Sequence, residues 1–99
     1  MSKAVWIISF KLKEKVSKKE FIEATKKLYD NVLSKAKGFV SWEQYIQDDI
    51  WTDFVTWESY EDARNGVKAG TGNEYAKKFY SMIQLKTCNM LTSSFVKKY

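Results

Sequence analysis

The first apolar run of the chain, residues 4 to 12 (AVWIISFKL), is hydrophobic on both of its faces if it is extended. Side chains alternate along a strand, so Val5, Ile7 and Ser9 point one way and Trp6, Ile8, Phe10 and Leu12 the other. A strand that is apolar on both sides has to be covered on both sides. That requirement governs what the rest of this 99-residue chain must supply.

Ser17-Lys-Lys-Glu20 is a capping box that opens a helix, with Ser17 as N-cap and Glu20 reaching back. Behind it Phe21, Thr25, Leu28 and Val32 form one helical stripe, flanked by Ile22, Tyr29 and Leu33, and Gly38 is expected to end the helix. Residues 39–47 and 51–58 read as two strands joined at Asp48-Asp49-Ile50. In the first, Val40, Trp42, Gln44 and Ile46 alternate with Phe39, Ser41, Glu43 and Tyr45; in the second, Trp51, Asp53, Val55 and Trp57 alternate with Thr52, Phe54, Thr56 and Glu58. A second helix opens at Ser59, breaks at Ala69-Gly-Thr-Gly72 and resumes near Asn73, carrying Tyr75, Phe79, Met82 and Ile83 on one stripe. Alternation over 85–96 predicts a last strand.

The order βαββαβ within one domain, 1–99, predicts an α+β fold: the ferredoxin-like plait, an antiparallel sheet with both helices on one face. Two helices cover one side only. A second copy, sheet facing sheet, is the simplest cover for the other, so a homodimer forming a dimeric α+β barrel is expected. Ser41, Glu43, Thr52 and Asp53 favour the opposing case of a monomer with one wet face.

Composition narrows the chemistry. The chain has no histidine, which removes the commonest general base and metal ligand. No metal or other cofactor is expected. Of 17 Lys and Arg residues only Arg64 is an arginine, so the net charge of +5 argues against sequence-specific binding of nucleic acid. The alternating Lys11, Lys13 and Lys15 read as a solvated edge that discourages strand pairing. Cys88, the one cysteine, cannot form an internal disulfide and is expected as a buried thiol in mid-strand. No run approaches a membrane span, and the N-terminal apolar stretch is short for a signal peptide, so a cytoplasmic protein is expected. Aromatics make up 16% of the residues, a surplus that suits either a dimer contact or a ligand cavity.

The stretch Phe54-Val-Thr-Trp-Glu-Ser-Tyr-Glu-Asp-Ala63, a strand ending in Trp followed by a polar step into a helix, resembles the antibiotic-biosynthesis monooxygenase family of dimeric α+β-barrel proteins. The N-terminal strand, the capped helix and the Gly38-Phe39 entry to the second strand fit the same pattern. The resemblance implies a cavity between helices and sheet where aromatic or quinol-like substrates meet oxygen without metal or flavin. It places Trp57 on the cavity wall. Haem-degrading members carry an asparagine on the first strand and a histidine on the second helix; here those positions fall on Ser9 and near Phe79, which argues against haem degradation.

The substrate-binding candidates are therefore Trp57, Asn89, Ser9, Tyr75, Phe79 and Tyr29. Trp57 reads equally as a core tryptophan, and Tyr29, Tyr75 and Phe79 as core residues on helix faces that look at the sheet. Ser9, Asn89 and Gln44 are polar residues on apolar strands, and face a pocket only if their side of the sheet turns toward the helices. Asp53 and Glu43 read as exposed hairpin carboxylates, and no catalytic residue stands out. The break at Gly70-Thr-Gly72 is either a gate or a plain kink. Two functions remain: a cofactor-independent monooxygenase acting on a small aromatic or polyketide-like molecule, or a non-enzymatic homodimer binding an apolar small molecule or a protein partner.

Overall fold

A computed structural model describes residues 2–99. The elements run β1 (Ala4–Lys11), α1 (Lys18–Asn31), β2 (Phe39–Gln47), β3 (Ile50–Trp57), α2 (Tyr60–Gly70), α3 (Glu74–Ser81) and β4 (Asn89–Ser94). The four strands form one antiparallel sheet in the order β2-β3-β1-β4. This is the expected ferredoxin-like plait, with its second helix divided in two.

Local chemistry sets the helix ends. The Glu20 amide donates to Ser17 Oγ at 3.1 Å and the Ser17 amide to Glu20 Oε1 at 3.2 Å, closing the capping box; such a cap contributes about 1 kcal/mol. Ser59 Oγ accepts from the Asp62 amide to start α2. Gly72, at φ +77°, makes the turn that separates α2 from α3, and Asn73 Oδ1 then caps α3 by accepting from Tyr75 and Ala76.

One face of the sheet lies under the helices. Ala4, Trp6, Ile8 and Phe10 from β1 and Trp51, Val55 and Trp57 from β3 pack there with Phe21, Leu28, Ala63, Ala76, Phe79 and Ile83. Gly66 in α2 is required by this packing, because a Cβ there would run into the six-membered ring of Trp57. The other face carries Val5, Ile7 and Ser9, all half-buried, and no helix among the described residues covers it.

The structure departs from the sequence expectations at several element boundaries and at one bulge. Helix α1 stops at Asn31 and is followed by a tight turn at Leu33–Lys35, so Gly38 (φ +81°) opens β2 instead of ending the helix. Its carbonyl accepts from the Glu58 amide at 2.8 Å. A bulge between Phe39 and Ser41 breaks the alternation of β2, and Phe39, paired with Trp57, packs with its ring 5.8 Å from the Trp57 ring on the helix side. β3 begins at Ile50, and β1 ends at Lys11, with Leu12 making a single bridge to Ile83. The last strand begins at Asn89, not at residue 85. Leu85–Thr87 form a tight turn, and the Thr87 hydroxyl takes the Lys11 amide at 2.9 Å, occupying the donor that a longer strand would have used. Cys88 thus lies before the strand and is half-buried.

Candidate functional site

A cavity of about 610 Å³ lies between the helices and the covered face of the sheet. Trp6, Ile8, Phe10, Trp42 and Val55 come from the sheet, Leu28, Val32 and Leu33 from α1 and the turn after it, and Gly66, Gly70, Ala76, Phe79 and Tyr80 from the divided helix. Its volume and apolar walls suit a small aromatic or aliphatic molecule. Among the described residues, Lys13, Asp53 and Lys77 are the only charged ones lining it.

Asp53 is the main correction to the sequence expectations. It is only 1% exposed and sits mid-strand on the helix side, not on a solvated hairpin. Alternation along β3 puts it in line with Trp51, which packs on Phe21 of α1, with Val55, and with Trp57, which packs on Gly66 of α2. The indole of Trp42 donates to Asp53 Oδ2 at 3.1 Å, and Gln44 Nε2 donates to the same oxygen at 3.3 Å. Gln44 Nε2 also lies 3.2 Å from Thr25 Oγ1, and that hydroxyl donates to the Phe21 carbonyl at 2.9 Å. The network anchors one carboxylate oxygen to α1. Oδ1 is buried and has no hydrogen-bond partner among the described residues. Burial raises the Asp53 pKa from 3.8 to about 6, against the two hydrogen bonds, which favour the charged form. A carboxyl group with this acidity can take and return a proton near neutral pH.

Tyr80 lines the same cavity from α3. Burial, and then the charges that Cys88 and Asp53 would carry, raise its pKa and keep the phenol protonated. Burial, and then Asp53, likewise raise that of Cys88, so its thiol is not activated as a nucleophile.

Of the six predicted substrate-binding residues, only Phe79 lines the cavity. Trp57 is wholly buried, with its ring 4.8 Å from that of Trp6, and belongs to the packed core, not the cavity lining. Tyr75 is half-buried against the core, and Tyr29 is 41% exposed beside Phe39; neither lines the cavity. Ser9 and Asn89 pair with each other across β1 and β4 on the opposite face of the sheet. They lie there because Trp6, Ile8 and Phe10, not Val5 and Ile7, take the helix side. Gln44 does turn toward the helices. Glu43 is on the face away from them, as are Ser41 and Thr52, but Asp53 is not, which removes one of four residues that favoured a wet face. Sequence reasoning missed Trp42 as a hydrogen-bond donor to Asp53. The signal available was the shared parity of Trp42, Gln44 and Asp53 across the hairpin.

No protein-family model and no curated protein matches the sequence. Solved structures do. A protein from Bordetella bronchiseptica described as a putative antibiotic biosynthesis monooxygenase superposes with a TM-score of 0.79 at 12% identity, covering 98% of this chain and 100% of that one. SnoaB from Streptomyces nogalater, a cofactor-independent oxygenase, gives 0.77 at 12% identity, over 100% of this chain and 96% of that one. A monooxygenase from Streptomyces coelicolor, solved with nanaomycin D, gives 0.76 at 14% identity, over 99% and 91%. The chain has the fold of the antibiotic-biosynthesis monooxygenases. At these identities the likeness establishes architecture, and the chemistry has to be argued from the cavity.

Proposed function

We propose that the chain is a cofactor-independent monooxygenase of a small, electron-rich aromatic molecule, with Asp53 as its proton acceptor and donor. The supporting observation is an apolar cavity whose one carboxyl group has an anchored oxygen and a free one. The oxygenases that share the fold lend the reaction class, and SnoaB is described as working without a cofactor.

For an activated methylene such as that of an anthrone, the Asp53 carboxylate takes the first proton and leaves a delocalised carbanion. Apolar walls expel water and hold the ring system against the base. The carbanion reduces dioxygen by one electron, and the radical and superoxide combine to form a C–O bond. The peroxide then takes the proton back from Asp53. Loss of water from the hydroperoxide gives the ketone. The methylene and dioxygen thus become a ketone and water, with one oxygen atom in each product.

Oxygen uptake with a panel of anthrones and hydroquinones tests this directly. Turnover that disappears in Asp53→Asn supports the assignment. Binding of the panel without oxygen uptake would overturn it in favour of a non-catalytic carrier of apolar molecules.

The uncovered face of the sheet supports a homodimer. Register brings Leu91, Ile7 and Phe54 into one row, with Val5 beside them and the ring of Tyr45 5.5 Å from that of Phe54. Leu91 is 63% exposed and Tyr45 54% exposed in the single chain. A contiguous apolar centre on an otherwise polar face is the mark of an association surface. Sedimentation at micromolar concentration should show twice the 11.6 kDa chain mass; a lone monomer there would overturn it.

A further inference from the structure

Charged residues of both signs line the cavity. Asp53 lies on the sheet, and its acidity is set by burial and by its bonds to Gln44 and Trp42, with no ammonium among the causes. Its hydrogen bonds come from Gln44 and Trp42, and among the described residues neither lysine that lines the cavity forms an ion pair with it. Lys77 lies on α3, one helical turn before Ser81 and on the same side, and Ser81 also lines the cavity. The next residue, Met82, accepts the Lys13 amide through its carbonyl at 2.9 Å. Lys13 is thus tied to the end of α3, the helix that carries Lys77, and both lysines line the cavity. Both are solvent-exposed, and neither forms an ion pair among the described residues. The rest of the lining is mostly apolar and includes five aromatic rings, those of Trp6, Phe10, Trp42, Phe79 and Tyr80.

We infer that the cavity selects an aromatic carboxylic acid, held with its carboxylate at Lys13 and Lys77 and its rings on the aromatic wall. This rests on the assignment of the cavity as a small-molecule site and adds the charge and orientation of the ligand. A ring system entering in this direction carries its far end toward Asp53, and the like charges of the two carboxylates keep the opposite orientation from forming. An ammonium pair at a partly exposed rim is screened by water and salt, so the expected preference is modest.

Calorimetric titration of the intact protein with 2-naphthoate, 2-naphthamide and octanoate tests the inference. In low salt, 2-naphthoate should bind roughly five- to tenfold more tightly than the amide, a gap of the size expected for two screened ion pairs. Octanoate should bind more weakly than either. The gap should shrink at an ionic strength of about 0.5 M, where the Debye length is about 4 Å. It should vanish in Lys13→Gln/Lys77→Gln, with affinity for the amide unchanged. Equal binding of naphthoate and naphthamide, or a gap that survives the double substitution, would overturn the anion site and leave the cavity assignment standing. Octanoate binding as tightly as naphthoate would overturn the aromatic preference. If none of the three binds, the cavity assignment falls as well.

Discussion

The two faces of the sheet break the usual rules in opposite ways. The covered face buries a carboxylate, Asp53, among tryptophans, while the uncovered face leaves Ile7, Phe54 and Leu91 in a row with no cover. A protein shaped only for stability would exchange them. Burial of an acid costs free energy unless its charge is fully met, and here one of its two oxygens is met. An apolar centre on a bare sheet invites association. On the proposed function each departure has a separate reason: the buried acid would serve a reaction and the bare apolar row a second copy of the chain.

Substitution of Asp53 has the largest expected effect and acts in two directions. Asp53→Asn should lower kcat/KM by roughly 10²- to 10⁴-fold, the usual contribution of a positioned base. It should also stabilise the fold. The folded-state pKa of about 6 lies above the unfolded value of 3.8, so the folded chain holds this proton more tightly. That advantage is complete below about pH 4 and is lost as pH rises through 6. At pH 7 the ionised group costs at most about 3 kcal/mol, at 1.36 kcal/mol per pKa unit, and the amide should recover about 1–2 kcal/mol of it. Urea denaturation at pH 4 and pH 7 checks the sign. A variant that is less stable than the parent at pH 7 would show that the carboxylate is a structural ion and not a strained base.

The second effect belongs to the other face. Phe54→Lys places a charge at the centre of the apolar row and should weaken self-association at least ~100-fold, which sedimentation would read as monomer. The cavity lies on the opposite side of the sheet, so ligand affinity per chain should hold. Loss of both together would mean that the faces are not independent.

Gly66→Ala tests how closely the helix side is packed. Alanine is the better helix former by about 1 kcal/mol, but its Cβ would meet the Trp57 ring. Overpacking of this kind typically costs about 1–3 kcal/mol, so net destabilisation is expected in thermal unfolding. A neutral result would show slack where α2 crosses β3.

Much of this was legible in the chain. The capping box, the break after Gly70 and the order of elements point to the plait, because each depends on neighbouring residues alone. The placement of Asp53 was half-legible: its parity with Trp51, Val55 and Trp57 could be read, but which side the helices would cover could not. Val5 and Ile7 are as apolar as Trp6 and Ile8, and that tie is broken only by three-dimensional packing. The same tie hides the placement of Ser9 and Asn89. The start of β4 was hidden for another reason, since the Thr87 hydroxyl that caps the ladder comes from 76 residues along the chain from Lys11.

The smallest expected effect separates the anchored oxygen from the rest of the pocket. Gln44→Leu removes the donor at 3.3 Å and leaves that of Trp42 at 3.1 Å. Both hydrogen bonds hold the carboxyl toward its charged form, so losing one should raise the Asp53 pKa further above 6. If Asp53 acts as a base, the acid limb of the kcat/KM profile, which reports the free enzyme, should move to higher pH in the variant by less than about one unit. The plateau above that limb should change little, because the ionised form is still reached. A limb that stays in place while the plateau falls would mean that Gln44 positions substrate, and that the acidity of Asp53 is set by burial and Trp42 alone.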